Sequence, residues 1–190
     1  GYVPLGWPGV ADEAVRVLDE LGLAGIAIGS QGGGKDLDDP VNEDLWALLA
    51  ERNTFVFLHP SGMPAGPRLK DYWMPQLVGY PMDTAIAVAR LVFSGTLERY
   101  PITLCLAHGG GCVPSLRGRM DMGWERKDVA HTNDHPPTHY TDRLYYDTAV
   151  FNTTVLSRIV QDVGVEHVLM GTDHPFELGD PTPRKTVGDL

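Results

Sequence analysis

Short apolar runs alternate along this chain with longer segments of helical spacing. Residues 2–5, 25–28, 55–58, 102–107, 144–146 and 168–171 read as six strands. Between them Ala14, Val17, Leu18 and Leu21 recur at helical spacing, as do Leu45, Leu48 and Leu49. Gly22 stops the first of these helices, as glycine does just past a C-terminus. A third helix is expected over 83–98 with Asp83 or Thr84 as its cap, and a fourth from Asn152 to Val163. Residues 30–40 form a Gly- and Asp-rich loop, 59–82 a loop with five prolines, and 109–143 a long polar connection. The unbroken apolar run at 55–58 predicts a strand buried on both faces, and 102–107, apolar but for Thr103, reads as another strongly apolar strand.

This alternation predicts a parallel sheet with helical crossovers. An open doubly wound sheet and a (β/α)8 barrel both satisfy it. No GxGxxG follows the first strand, which removes support for a dinucleotide-binding version. Six units fall two short of a barrel. The length, 190 residues, suits one domain over 1–190.

Composition narrows the functions. Apolar residues make up 43% and charged ones 21%, as in a globular protein. The formal charge of −10 argues against nucleic acid and anionic membranes as partners. No apolar run approaches a spanning helix, and no signal segment is expected. Cys105 and Cys112 have neither the spacing of a disulfide framework nor that of a zinc site. A cytoplasmic protein is expected.

Three polar residues end strongly apolar strands: His59 after Phe-Val-Phe-Leu, His108 after Leu-Cys-Leu-Ala, and Asp173 after Leu-Met-Gly-Thr. The C-terminal strand ends form the active face of parallel α/β folds. Two imidazoles and a carboxylate converging there would suit a divalent cation such as Zn2+, with room for water. His108 opens His-Gly-Gly-Gly, whose backbone could offer free N–H groups to an anion. Arg117, Arg119, Arg126 and Lys127 form a basic island in an acidic chain, which would suit an anionic substrate or simply be a solvated face. His131, His135 and His139 are four apart, but Pro136 and Pro137 argue for a surface loop over a helical ligand face. His167 and His174 are expected to be structural or to support the site. Asp147 is a polar support near a strand end, and Tyr72 and Trp73 could wall a pocket.

Several blocks resemble one family. They are Phe-Leu-His59-Pro, Leu-Val-Gly-Tyr-Pro-Met-Asp-Thr-Ala at 77–85, Ser-Gly-Thr-Leu-Glu-Arg-Tyr-Pro at 94–101, Ala-His108-Gly-Gly-Gly with Pro114 and Gly118-Arg119, and Gly171-Thr-Asp173-His-Pro-Phe. Together they are similar to amidohydrolase-related enzymes of the 2-amino-3-carboxymuconate-6-semialdehyde decarboxylase type, over nearly the whole chain. The resemblance implies a distorted (β/α)8 barrel with one metal ion, usually zinc. It implies His59 and Asp173 as ligands and His108 as the acid–base residue. It further implies Arg119 as holder of a substrate carboxylate and Trp73 as an aromatic pocket wall.

One feature of that family is missing. Its first strand carries a His-x-His pair, and none exists here. The match begins at about the third barrel strand, so the chain reads as a barrel fragment of about six units, strands 3–8. Weak or absent metal occupancy is then expected. The function expected is non-oxidative decarboxylation of an unsaturated or aromatic acid. Hydrolysis of a lactone, amide or C–C bond on the same scaffold, and carboxylate binding without catalysis, are the alternatives. A homodimer is expected by analogy.

Overall fold

The structure is a computed structural model that describes residues 1–188. Its main sheet has five parallel strands: β1 (Gly25–Gly29), β4 (Phe55–His59), β5 (Thr103–Leu106), β6 (Tyr145–Asp147) and β7 (Val168–Leu169). A two-residue ladder, β2 (Gln31–Gly32) with β3 (Lys35–Asp36), folds over the end of β1. The expected strand at 2–5 reduces to a bridge. Tyr2 pairs with Ala27, and Val3 donates to the Ala27 carbonyl.

Strand order decides between the two architectures. Each strand joins beside the one before it, β1-β4-β5-β6-β7, with no reversal. A doubly wound sheet reverses at a switch point, whereas right-handed crossovers that always step the same way place every helix on one side, as in a barrel.

The helices are α1 (Val10–Val15, continued by a wider turn, Arg16–Glu20), α2 (Glu43–Glu51), α3 (Tyr80–Phe93), α4 (Thr96–Arg99), α5 (Val113–Arg126), α6 (Pro137–Thr141), α7 (Thr153–Val163) and α8 (Pro183–Gly188). One expectation needs correction. Asp83 and Thr84 do not cap α3, which begins at Tyr80 after a wide turn from Pro75 and ends before the left-handed Gly95. The long polar connection 109–143 holds α5 and α6. The α5 sequence carries few apolar residues and buries only Val113 fully, so its periodicity is faint. Asn152 does cap α7, with Oδ1 accepting from Val155 N at 3.1 Å.

The core lies between the sheet and these helices. Ile28, Val56, Leu58, Leu104, Leu106 and Tyr146 are fully buried against Ala14, Leu45, Leu49, Val88, Leu91 and Ile159. The other face of the sheet is different. Phe55 is 37% exposed and Phe57 only half-buried, which corrects the expectation of burial on both faces of β4. Five strands do not close a barrel, so the inner face opens into a cleft of about 370 Å³.

Candidate active site

His59 is the last residue of β4, where strand pairing gives out and the backbone turns at Pro60. Its Nδ1 lies 2.8 Å from the Pro60 carbonyl. A carbonyl only accepts, so Nδ1 carries the proton and Nε2 keeps its lone pair. His108 follows β5 at φ +56°, a left-handed conformation that lifts its ring off the strand end. Asp173 follows β7 and also has φ +56°. Non-glycine residues in this region are uncommon, and two of them hold the site's side chains.

The three side chains meet. The rings of His59 and His108 are 5.0 Å apart at 73°, and His108 Nε2 lies 3.9 Å from Asp173 Oδ1. One ligand atom from each of His59, His108 and Asp173 lies within 4.8 Å of the others. The His108 Nδ1 is buried with no hydrogen-bond partner. Two nitrogens and a carboxylate oxygen at this spacing fit a divalent cation. No other group of three such side chains occurs among the described residues.

Asp147, at the end of β6, sits behind His108. Its Oδ1 accepts from Gly109 N at 2.8 Å and from Ala149 N at 3.1 Å. This corrects the anion-binding reading of the glycine run. Gly109 N is taken by Asp147, Gly110 N by the Ala107 carbonyl, Gly111 N by the His108 carbonyl and Cys112 N by the Pro81 carbonyl. The glycines serve packing instead. A Cβ on Gly111 would lie 2.5 Å from the Pro81 carbonyl oxygen, and Gly110 presses on the Tyr146 ring.

Burial lowers the proton affinity of His108 below the ordinary imidazole range. The neighbouring His59 adds to this, and Asp147 and Asp173 oppose it. Burial raises Asp147 above the usual carboxylate range, against the hydrogen bonds from Gly109 and Ala149 and the pull of His108. His108 is thus set to be a neutral base near neutral pH. Cys105 faces the inner cleft, but burial pushes its thiol up to about 12, so it stays protonated.

The three residues open onto a cavity of about 560 Å³. Trp73, Leu77, Phe151 and Phe176 give it an apolar, partly aromatic wall, and Gln76, Tyr80 and Glu177 add polar groups. Trp73 is therefore at the cavity, whereas Tyr72 is 89% exposed and absent from the wall. Arg119 lies on the exposed face of α5 and does not line the cavity; no Lys or Arg does among the described residues. Arg117 turns inward instead, to Asp142 and Asp162. His131, His135 and His139 are exposed, with His131 stacked on Trp124, but the loop reading needs correction at His139, which lies in α6 because Pro137 is accommodated in the first turn of that helix. His167 contacts the Leu144 carbonyl, and His174 is exposed. Gln76 gave no sequence signal, because a lone amide in a proline-rich segment has no periodic partner.

Comparisons with known proteins place the chain among relatives. The family model described as Amidohydrolase (Amidohydro_2) matches residues 1–189. The 2-amino-3-carboxymuconate-6-semialdehyde decarboxylase of Dictyostelium discoideum is 37% identical, over 94% of this chain and 50% of its own. The 6-methylsalicylic acid decarboxylase of Penicillium expansum is 30% identical, over 75% of this chain and 45% of its own. Among solved structures, the IDCase of Metarhizium anisopliae in apo form superposes with a TM-score of 0.85 at 28% identity, covering 100% of this chain and 56% of that one. The chain spans about half the length of the curated relatives it matches.

Proposed function

The chain belongs to the amidohydrolase family, and from that premise we propose that it serves a metal-dependent, non-oxidative decarboxylase of an unsaturated or aromatic carboxylic acid. The support is the meeting of His59, His108 and Asp173 at the floor of one cavity with an aromatic wall. The curated relatives named above are decarboxylases by name.

In this reading His59, through Nε2, and Asp173 hold a divalent cation. Zn2+ suits such nitrogen and oxygen donors. When bound, the cation supplies electrostatic stabilisation to negative charge that develops beside it. His108 moves the proton, and Nε2 is its working atom because that nitrogen faces Asp173. Trp73, Phe151 and Phe176 sandwich the unsaturated part of the acid and exclude water from it. We keep Arg119 as the carboxylate partner. Since it does not line its own cavity, that role requires a second copy of the chain, so the clamp and the homodimer stand together. The two free cysteines fit a cytoplasmic setting.

Weak or absent cation occupancy is expected of this chain by itself, so the acids are incubated with it in excess Zn2+, where any turnover should release CO2 without hydrolysed product. His108→Ala should lower kcat by about 10² or more with the cation retained, the usual scale for acid–base catalysis. Hydrolysed product without CO2 would replace decarboxylation with hydrolysis, and binding of the acids regardless of Zn2+, with no turnover, would leave only a carboxylate binder. Mixing Arg119→Ala with His108→Ala chains should restore part of the activity if Arg119 reaches across a dimer.

A further inference from the structure

Asp83 sits inside α3 and is 6% exposed. A carboxylate this buried needs donors, and it has three on one oxygen. Its Oδ2 accepts from Ser30 Oγ, from Ser61 N at 3.1 Å and from Gly62 N at 2.7 Å. Ser30 Oγ in turn accepts from Ser61 N at 2.9 Å and lies 3.2 Å from Ser61 Oγ. Ser30 directly follows β1, and Ser61 and Gly62 follow β4. One side chain on a helix therefore ties together the C-terminal ends of two adjacent strands. The fit leaves no slack: a Cβ on Gly62 would meet Gln31 Nε2 and lie 2.7 Å from Asp83 Oδ1.

The consequence reaches His59 through a single peptide plane. The Pro60 carbonyl and the Ser61 N–H belong to one rigid, planar unit and point in opposite directions. Holding the Ser61 N–H on Asp83 and Ser30 therefore aims the Pro60 carbonyl away from them, and that carbonyl accepts the Nδ1 proton of His59. We infer that Asp83 is a positioning residue for His59: it locks the carbonyl that fixes the imidazole tautomer and keeps Nε2 bare toward the cavity. Metal-binding histidines commonly have their second nitrogen fixed in this way; here the fixing group is itself held by a carboxylate on another element. This inference rests on the reading of His59 as a cation ligand.

The test uses metal-free protein first. The ring nitrogens of His59 are followed by 15N NMR at alkaline pH in wild type, Asp83→Asn and Gly62→Ala. Wild type should show a protonated Nδ1 and a bare Nε2. Both variants should show mixed tautomers, because Asn offers one accepting oxygen and no charge, and the Gly62 methyl pushes the carboxylate away. Titration with Zn2+ alone should then show affinity weakened by about 10–100-fold, the usual scale for losing such a support. Variants that fold by circular dichroism yet keep the single tautomer and the wild-type Zn2+ affinity overturn the inference. Should Asp83→Asn fail to fold, Gly62→Ala decides alone. His59→Ala separates the two readings. If it leaves Zn2+ affinity unchanged, the ligand role of His59 falls, while the tautomer comparison still judges the role of Asp83.

Discussion

β4 and β7 each deliver one candidate ligand, His59 and Asp173, and they are built very differently. β4 is five residues long and hydrogen-bonded on both sides, to β1 and β5. β7 is two residues long and is paired on one side, to β6. Val56 and Leu58 are fully buried, whereas Val168 and Leu169 are half-buried and Met170 is 63% exposed. The turn after β4 is fixed by Asp83. The turn after β7 relies on Thr148, whose hydroxyl bonds both the N–H and the carbonyl of Gly171, and on a bond from Asp180 N to the Thr172 carbonyl at 2.7 Å. One ligand thus stands on a strand paired on both sides, and the other on a strand whose free side is where the closing strand of a whole barrel would pair.

The largest expected effect tests this contrast in stability. Leu104→Ala, in the strand beside β4, removes a fully buried side chain and should cost about 2–5 kcal/mol by urea unfolding. Leu169→Ala on half-buried β7 should cost less than about 1 kcal/mol. Equal losses would mean that β7 is as much part of the core as β5. Hydrogen exchange sharpens the same point. Amides of β4 and β5 should exchange only through global unfolding, and those of 168–173 through a much cheaper local opening.

A smaller effect is expected from Asn152→Ala. The Asn152 side chain caps α7, whose Ile159 packs on the core and whose Val155 lines the cavity. Losing the cap should cost about 1 kcal/mol. If α7 braces β7, exchange in 168–173 should quicken in this variant, while β4 amides keep their ranking. Uniform quickening would tie both halves to one cooperative unit.

How far the sequence anticipated this contrast depends on the kind of signal. His59, His108 and Asp173 were legible because each breaks an apolar run, and a polar residue at a strand end stands out against period-two burial. The parallel sheet was legible from alternation alone. Its barrel sense was not, because strand order is a long-range property that local periodicity does not carry. Asp83 was misplaced as a cap. Its value as an acceptor depends on Ser30 and Ser61, 53 and 22 residues away, which only the folded sheet brings near. The exposure of Phe55 escaped for a related reason: an apolar strand reads as buried whether or not a facing layer exists.

The subtlest expected effect concerns Asp147, which joins β6 to the His108 turn between the two halves. Its carboxyl is raised above its unfolded value, chiefly by burial. A raised group binds its proton more tightly in the folded state. Its stabilising contribution is therefore complete below the unfolded value near 3.8 and is lost as pH rises through the folded value. Asp147→Asn keeps an oxygen to accept from Gly109 and Ala149 but cannot ionise. At the acid end the two proteins should unfold alike, since the protonated acid and the amide have nearly the same shape. As pH rises, wild type should fall below the variant, and the gap should level off once Asp147 is ionised. His108 supplies an independent reading. Asp147 holds its proton affinity up, against burial and His59. In Asp147→Asn the His108 titration followed by NMR should therefore move to lower pH, while the Leu104 core is untouched. A His108 titration that stays in place, or a stability gap that is constant from acid to neutral pH, would mean that Asp147 acts on the turn by hydrogen bonding alone and that its charge does not reach the site.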